Sequence, residues 1–164
     1  MDAQNALETL IGEIKTETGL DLTLDEDGVT VIQHASDVSV IVSADYPSGL
    51  LRMATILGTT EQANREELFG DLLVVNFFPQ LYGPFYFALN PDQSRLMLVG
   101  RVPIGLLDAH KLIDNFEAIV FAHNKVSDMI GGALRGQERL ATAIASRFDD
   151  GGMSAGHTPP ATFV

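Results

Sequence analysis

LLRMATILGTTEQANREELFGDLLVVNFF, residues 50–78, contains a change of hydrophobic period, and the fold turns on where that change falls. Up to Gly58 the run LLRMATILG reads as a strand. At Thr59 the period becomes helical. Thr59 and Gln62 fit the S/T-x-x-E/Q pattern, in which two side chains satisfy the first free backbone N–H groups of a helix. The pattern predicts a helix running to about Phe77, with Leu68, Leu72 and Val75 along one stripe and Phe69, Leu73 and Phe77 beside it. That stripe is wider than a one-sided surface helix needs. Pro79 ends the helix, because a residue preceding proline avoids the helical region.

Upstream, Leu7, Leu10, Ile11 and Ile14 form one apolar stripe on a helix predicted over 3–18, which Gly19 terminates. Leu20, Leu22 and Leu24 alternate with polar residues, as in a half-buried strand, and Asp27-Gly28 is a hairpin turn signal. Val29 to Gln33 is the returning strand, and 37–44 is a further strand with Val38, Val40 and Val42 on one face. Downstream, strands are predicted over 84–90 and 94–102. A long helix follows, carrying Leu112, Phe116, Ile119, Val120, His123, Val126 and Ile130. Gly131-Gly132 is expected to weaken or kink it before a second helical piece from Leu134 to Phe148. The order is α-β-β-β-α-β-β-α. It predicts an α+β fold, with a twisted antiparallel sheet of about five to six strands covered on one side by three helices. Residues 1–148 form one domain in this reading, and 149–164, small and proline-rich, a flexible tail.

Composition removes several kinds of function. With ten Lys and Arg against 22 Asp and Glu, the formal net charge of −12 repels nucleic acid and anionic membrane surfaces. The chain has no cysteine, so thiolate chemistry and disulfides are excluded. Its N-terminus lacks the basic and apolar regions of a secretory signal, and the expectation is a cytoplasmic protein. The richest apolar run, VVNFFPQLYGPFYFALN (74–90), is broken by Asn76, Pro79, Gln80, Gly83 and Pro84 and cannot be a membrane span. His110 and His123 are thirteen residues apart, unlike the i, i+4 pair that shares one metal, and His123 reads as a half-buried helix histidine. Asp25-Glu26-Asp27-Gly28 fails as a calcium loop, since Thr23 and His34 stand where carboxylates are needed. No phosphate-binding or nucleophile motif occurs, so no enzyme activity, cofactor or metal is expected.

What remains is apolar surface. Phe77, Phe78, Tyr82, Phe85, Tyr86 and Phe87 lie within eleven residues. Alternation puts Tyr86 on the opposite sheet face from Phe85 and Phe87, and the second helix is apolar around much of its girth. An apolar face left over on a soluble protein marks a contact with another chain.

In order, size and acidity the chain resembles the class I type III secretion chaperones, the Tir-chaperone-like family of Gram-negative bacteria. The resemblance rests on the amphipathic first helix followed by GLDLTLDEDG, on ATILGTT leading into the helix that ends LFGDLLVVNFF, and on GPFYFALNPDQSRLMLVGRVP before the third helix. It covers roughly residues 3–130. It implies a non-catalytic cytoplasmic homodimer that binds the N-terminal chaperone-binding segment of a secreted effector. The effector stays soluble and secretion-competent and is passed to the export ATPase. A binding module of the same fold, regulating secretion or transcription through another protein, is the alternative. By position, the resemblance implies a dimer interface of Leu68, Leu72, Val75 and Phe77 with Leu96 and Leu98. It likewise implies effector contacts at Leu10, Ile14, Leu22 and Leu24, together with strand addition at a sheet edge.

Overall fold

The computed structural model describes residues 3–18, 22–77, 83–140 and 142–143. Within them the order is α1 (Ala3–Thr18), β1 (Val29–Gln33), β2 (Ser39–Asp45), β3 (Leu50–Thr59), α2 (Arg65–Asn76), β4 (Phe85–Leu89), β5 (Arg95–Pro103) and α3 (Ala109–Leu134). The strands form one antiparallel sheet in the order β1-β2-β3-β5-β4. β5 inserts between β3 and β4, which leaves β1 and β4 as the two edges.

Period-two alternation decides which side chains enter the core. Val40 and Val42, Leu51, Met53 and Thr55, Phe85 and Phe87, and Leu96 and Leu98 occupy one face and are buried. Helical residues at 3.6-residue spacing meet them: Leu7, Leu10 and Ile14 from α1, Leu68, Leu72 and Val75 from α2, and Leu112, Ile119, Val126 and Ile130 from α3. Each such side chain contributes about 1.5–3 kcal/mol on burial. Gly100 stands opposite Phe85 across the ladder, and a Cβ there would come within 2.8 Å of the ring. Glycine is what lets this aromatic lie flat over β5.

The two edges differ. Asn76, at the end of α2, donates from Nδ2 to the carbonyl of Phe87 (2.8 Å) and accepts the Phe87 N–H at Oδ1 (2.7 Å). One side-chain amide thus covers the β4 edge as a neighbouring strand would. Asn76→Ala removes both bonds and should lower stability by about 1–3 kcal/mol, seen as a fall in urea midpoint. A midpoint equal to wild type would mean that the amide does not hold this edge.

His123 of α3 shares a hydrogen bond with the buried Thr55 of β3 (3.0 Å between Nδ1 and Oγ1). Burial pushes the imidazole below its ordinary value of 6.5. Below pH 6.5 the unfolded chain takes up a proton that the folded site resists, so stability falls as pH drops from neutrality through 6.5. Urea midpoints at pH 7 and 5.5 should differ more in wild type than in His123→Gln. Equal differences would remove this histidine as the cause.

Four local expectations are corrected. Thr59 completes β3, and α2 starts five residues later than predicted: Thr60 is tied by its hydroxyl to the carbonyl of Gln93 (2.6 Å) and by its N–H to that of Ser94 (2.9 Å). The helix is capped by Asn64 instead, whose side chain accepts from the Glu67 N–H. Leu22–Asp25 is not a strand, and Leu20 lies outside the described residues. Asp25 explains this. Its Oδ1 accepts the Val29 N–H (2.8 Å) and its own N–H meets the Val29 carbonyl (2.8 Å), so the predicted hairpin shrinks to one rung closed by Gly28 at φ +74°. The sheet accordingly has five strands. α3 runs through Gly131-Gly132 without a break and stops before Gly136, at φ +68°. Leu140, Thr142 and Ala143 are helical, while the rest of the predicted last helix and the tail lie outside the described residues.

Candidate protein-binding site

α2 is apolar on two faces, and the structure tells them apart. Leu68, Leu72 and Val75 point into the chain's own core, and Leu96 and Leu98 are fully buried in the sheet. None of these five can meet a second chain without unfolding. Phe77, the sixth residue assigned to a dimer interface, is 78% exposed. Beside it stand Leu73, also 78% exposed, then Val74 and, less fully exposed, Phe69. These four stand on one side of α2 and its C-cap, away from Leu68, Leu72 and Val75, and all are exposed.

Of the residues assigned to effector contact, Leu10 is core. Ile14 and Leu22 are buried too, but both line the wall of an apolar cleft of about 300 Å³ between the end of β1 and the first half of α3. Ile32, Val42 and Met53 from the sheet and Leu112, Ile113 and Phe116 from α3 complete that wall. At its mouth the His34 ring lies 6.0 Å from that of Phe116, with Nε2 3.5 Å from Glu117 Oε2. Leu22 also borders a second cleft of about 430 Å³, which contains Leu24 and Ile11 and is rimmed by Glu8, Asp25 and Glu26. A chain segment passing there meets carboxylates around an apolar floor.

β1 flanks the first cleft, and its outer edge is open. The N–H of His34 bonds to the Val38 carbonyl and that of Ala44 to the Gly28 carbonyl. In this register Thr30 and Ile32 bond to β2, while the N–H and C=O groups of Val29, Val31 and Gln33 point outward. Asp25 occupies those of Val29. Val31 and Gln33 face no described residue across that edge, and the Val31 side chain is 60% exposed. An extended peptide could hydrogen-bond to both while setting alternate side chains into the cleft.

The effector contacts implied by the resemblance do not include β1 or α3, which supply half of the cleft wall. The short run VTVIQ announced a strand, but whether that strand would be an open edge depended on residues 22–25 failing to form a strand beside it. The exposed α2 face was visible in sequence as excess girth, although periodicity cannot say which of two apolar faces turns inward.

Solved structures share this arrangement of elements. A chain of the ExsC–ExsE complex superposes with a TM-score of 0.65 at 16% identity, covering 79% of this chain and 96% of that one. For the HopA1–SchA chaperone–effector complex the values are 0.62 and 15%, with 78% and 98% covered. For the Yersinia pestis type III secretion chaperone SycH with a fragment of YscM2 they are 0.54 and 20%, with 71% and 96% covered. No curated protein matches by sequence. The model of the Tir chaperone protein (CesT) family matches residues 9–126, and the chain belongs to that family. Its class is that of the effector-binding chaperones of type III secretion.

Proposed function

We propose that the chain acts in the cytoplasm as a homodimer that holds the N-terminal chaperone-binding segment of a secreted effector in extended form. Holding it so keeps the effector soluble and competent for hand-over to the export ATPase. The observation that carries this reading is the open edge of β1 beside an apolar cleft, with Val31 and Gln33 presenting backbone groups. Strand addition supplies affinity through the backbone and selectivity through the cleft. An extended client loses much conformational entropy on binding, so it must cover a large surface. The second cleft and its carboxylates extend that surface and favour a basic stretch of client.

A self-partner is supported by Phe69, Leu73, Val74 and Phe77, because exposed apolar residues gathered on one helix face stabilise an isologous contact twice over. Among the described residues no helix is long and apolar enough to cross a membrane. Nothing in the reading requires catalysis. Co-expression with an effector from the same genome, followed by limited proteolysis, tests the proposal. A protected effector N-terminal segment in a complex of two chaperone chains supports it. An effector that is cleaved as fast as when alone rejects it.

A further inference from the structure

The sheet face turned away from the helices has its own chemistry. Pairing aligns Tyr86, Val99, Ala54, Ile41 and Val31 in a single row that crosses all five strands. Val31 at one end is exposed and Tyr86 and Ile41 are half-buried, while Val99 and Ala54 between them are buried, so the accessible part of the row lies at its two ends. The row beside it begins with Arg101 and Arg52, direct partners across the β3–β5 ladder, both exposed. Like charges directly opposite one another destabilise a sheet. Neither guanidinium has an ion pair among the described residues, and Arg101 lies instead 5.5 Å over the Tyr86 ring. The strands of this strongly acidic chain contain three arginines (Arg52, Arg95 and Arg101) and one carboxylate, Asp45. Asp45, whose carboxylate accepts from the Ser48 N–H in the following turn, lies within the field of both arginines and offsets one of the two positive charges, which leaves the pair with a net charge of one. A cleft of about 250 Å³ opens between that turn and the two arginines.

We infer that this face is a second docking surface, for an acidic segment of the protein partner. Carboxylates of that segment meet Arg52 and Arg101, and its apolar side chains meet the accessible Tyr86, Ile41 and Val31 of the row. The inference deepens the effector-binding reading and rests on it. The charge argues for the occupant: a basic segment is repelled here and drawn to the carboxylates beside Leu24, so one client crossing both surfaces carries charges of both signs. Guanidinium pairs of this kind favour carboxylates through bidentate hydrogen bonds.

The probe is a capped hexapeptide alternating glutamate and leucine, compared with its lysine and leucine counterpart, titrated into labelled full-length protein at low salt. The glutamate peptide should shift the amide resonances of Ala54, Val99 and Tyr86, and the lysine peptide should leave them in place. In the double variant R52E/R101E the preference should reverse. Shifts elsewhere only, or an unchanged preference in the variant, overturn the inference. A change in the light-scattering mass of the free variant also overturns it, since the occupant would then be a second copy. The same variant is finally co-expressed with the effector. Weakening of about tenfold or more supports the inference, and undiminished capture overturns it while the chaperone reading stands. Failure of the wild type to capture any effector strikes that reading instead, and the peptide titration still decides the charge preference.

Discussion

Leu73→Asp should turn a dimer into a folded monomer. Leu73 is 78% exposed on α2 and makes no contribution to the core, so the substitution leaves Leu68, Leu72 and Val75 where they are. In a two-fold interface the side chain occurs twice. Burying one leucine stabilises by about 1.5–3 kcal/mol, so losing both weakens association by about 3–6 kcal/mol before any cost of burying two carboxylates. That corresponds to roughly a 10²- to 10⁴-fold rise in dissociation constant. Light scattering across a concentration series measures it, with circular dichroism to show that the helices persist. Leu72→Asp is the contrasting variant: it places a charge in the core and should unfold the chain rather than separate it. If Leu73→Asp stays a dimer at micromolar concentration, α2 does not form the interface.

Val31→Pro should abolish most effector binding while leaving the fold in place. Val31 sits on an edge strand with its N–H on the outer side, where proline removes no ladder bond. The substitution deletes the donor that an added strand would use and puts a ring in its path. One hydrogen bond contributes about 0.5–1.5 kcal/mol, and the steric block adds to it, so binding should weaken by roughly ten- to a hundredfold. Ile32→Pro, one residue along, removes a bond to β2 and should destabilise the sheet, which separates the edge effect from general damage. Calorimetric titration with the effector's N-terminal segment provides the comparison. Unchanged affinity in Val31→Pro would mean that the client does not use this edge.

Much of the fold was legible because local period and tertiary burial agree. The alternation in 37–44, 84–90 and 94–102 became β2, β4 and β5, and the single stripe of 3–18 became α1. Where several residues offered the same local chemistry, the sequence could not choose among them. Thr59 and Asn64 are both good caps, and the tertiary bonds from neighbouring Thr60 to Gln93 and Ser94 settled it for Asn64. Residues 20–25 have the period of a strand, yet Asp25 takes the Val29 edge with its own side chain and backbone.

The site was less legible for a physical reason. Leucines in a helix stripe look alike whether they face their own sheet or a second chain. Leu96 and Leu98 belong to a central strand, and the sheet order that makes β5 central comes from non-local pairing. Ile14, Leu22 and Leu24 do border the two clefts, while Leu10 is enclosed. The cleft's other walls come from β1 and from α3, the latter ninety-one residues beyond the end of α1, and only folding brings them together.

Amide hydrogen exchange at Val31 and Gln33, read residue by residue with and without the effector's N-terminal segment, is the most direct test. In the free protein both N–H groups point outward from the open edge and should exchange quickly. A client strand paired to β1 should slow both by about tenfold or more, with Thr30 and Ile32 little changed because they already bond to β2. Exchange at Val31 and Gln33 as fast in the complex as in the free protein would contradict strand addition at this edge.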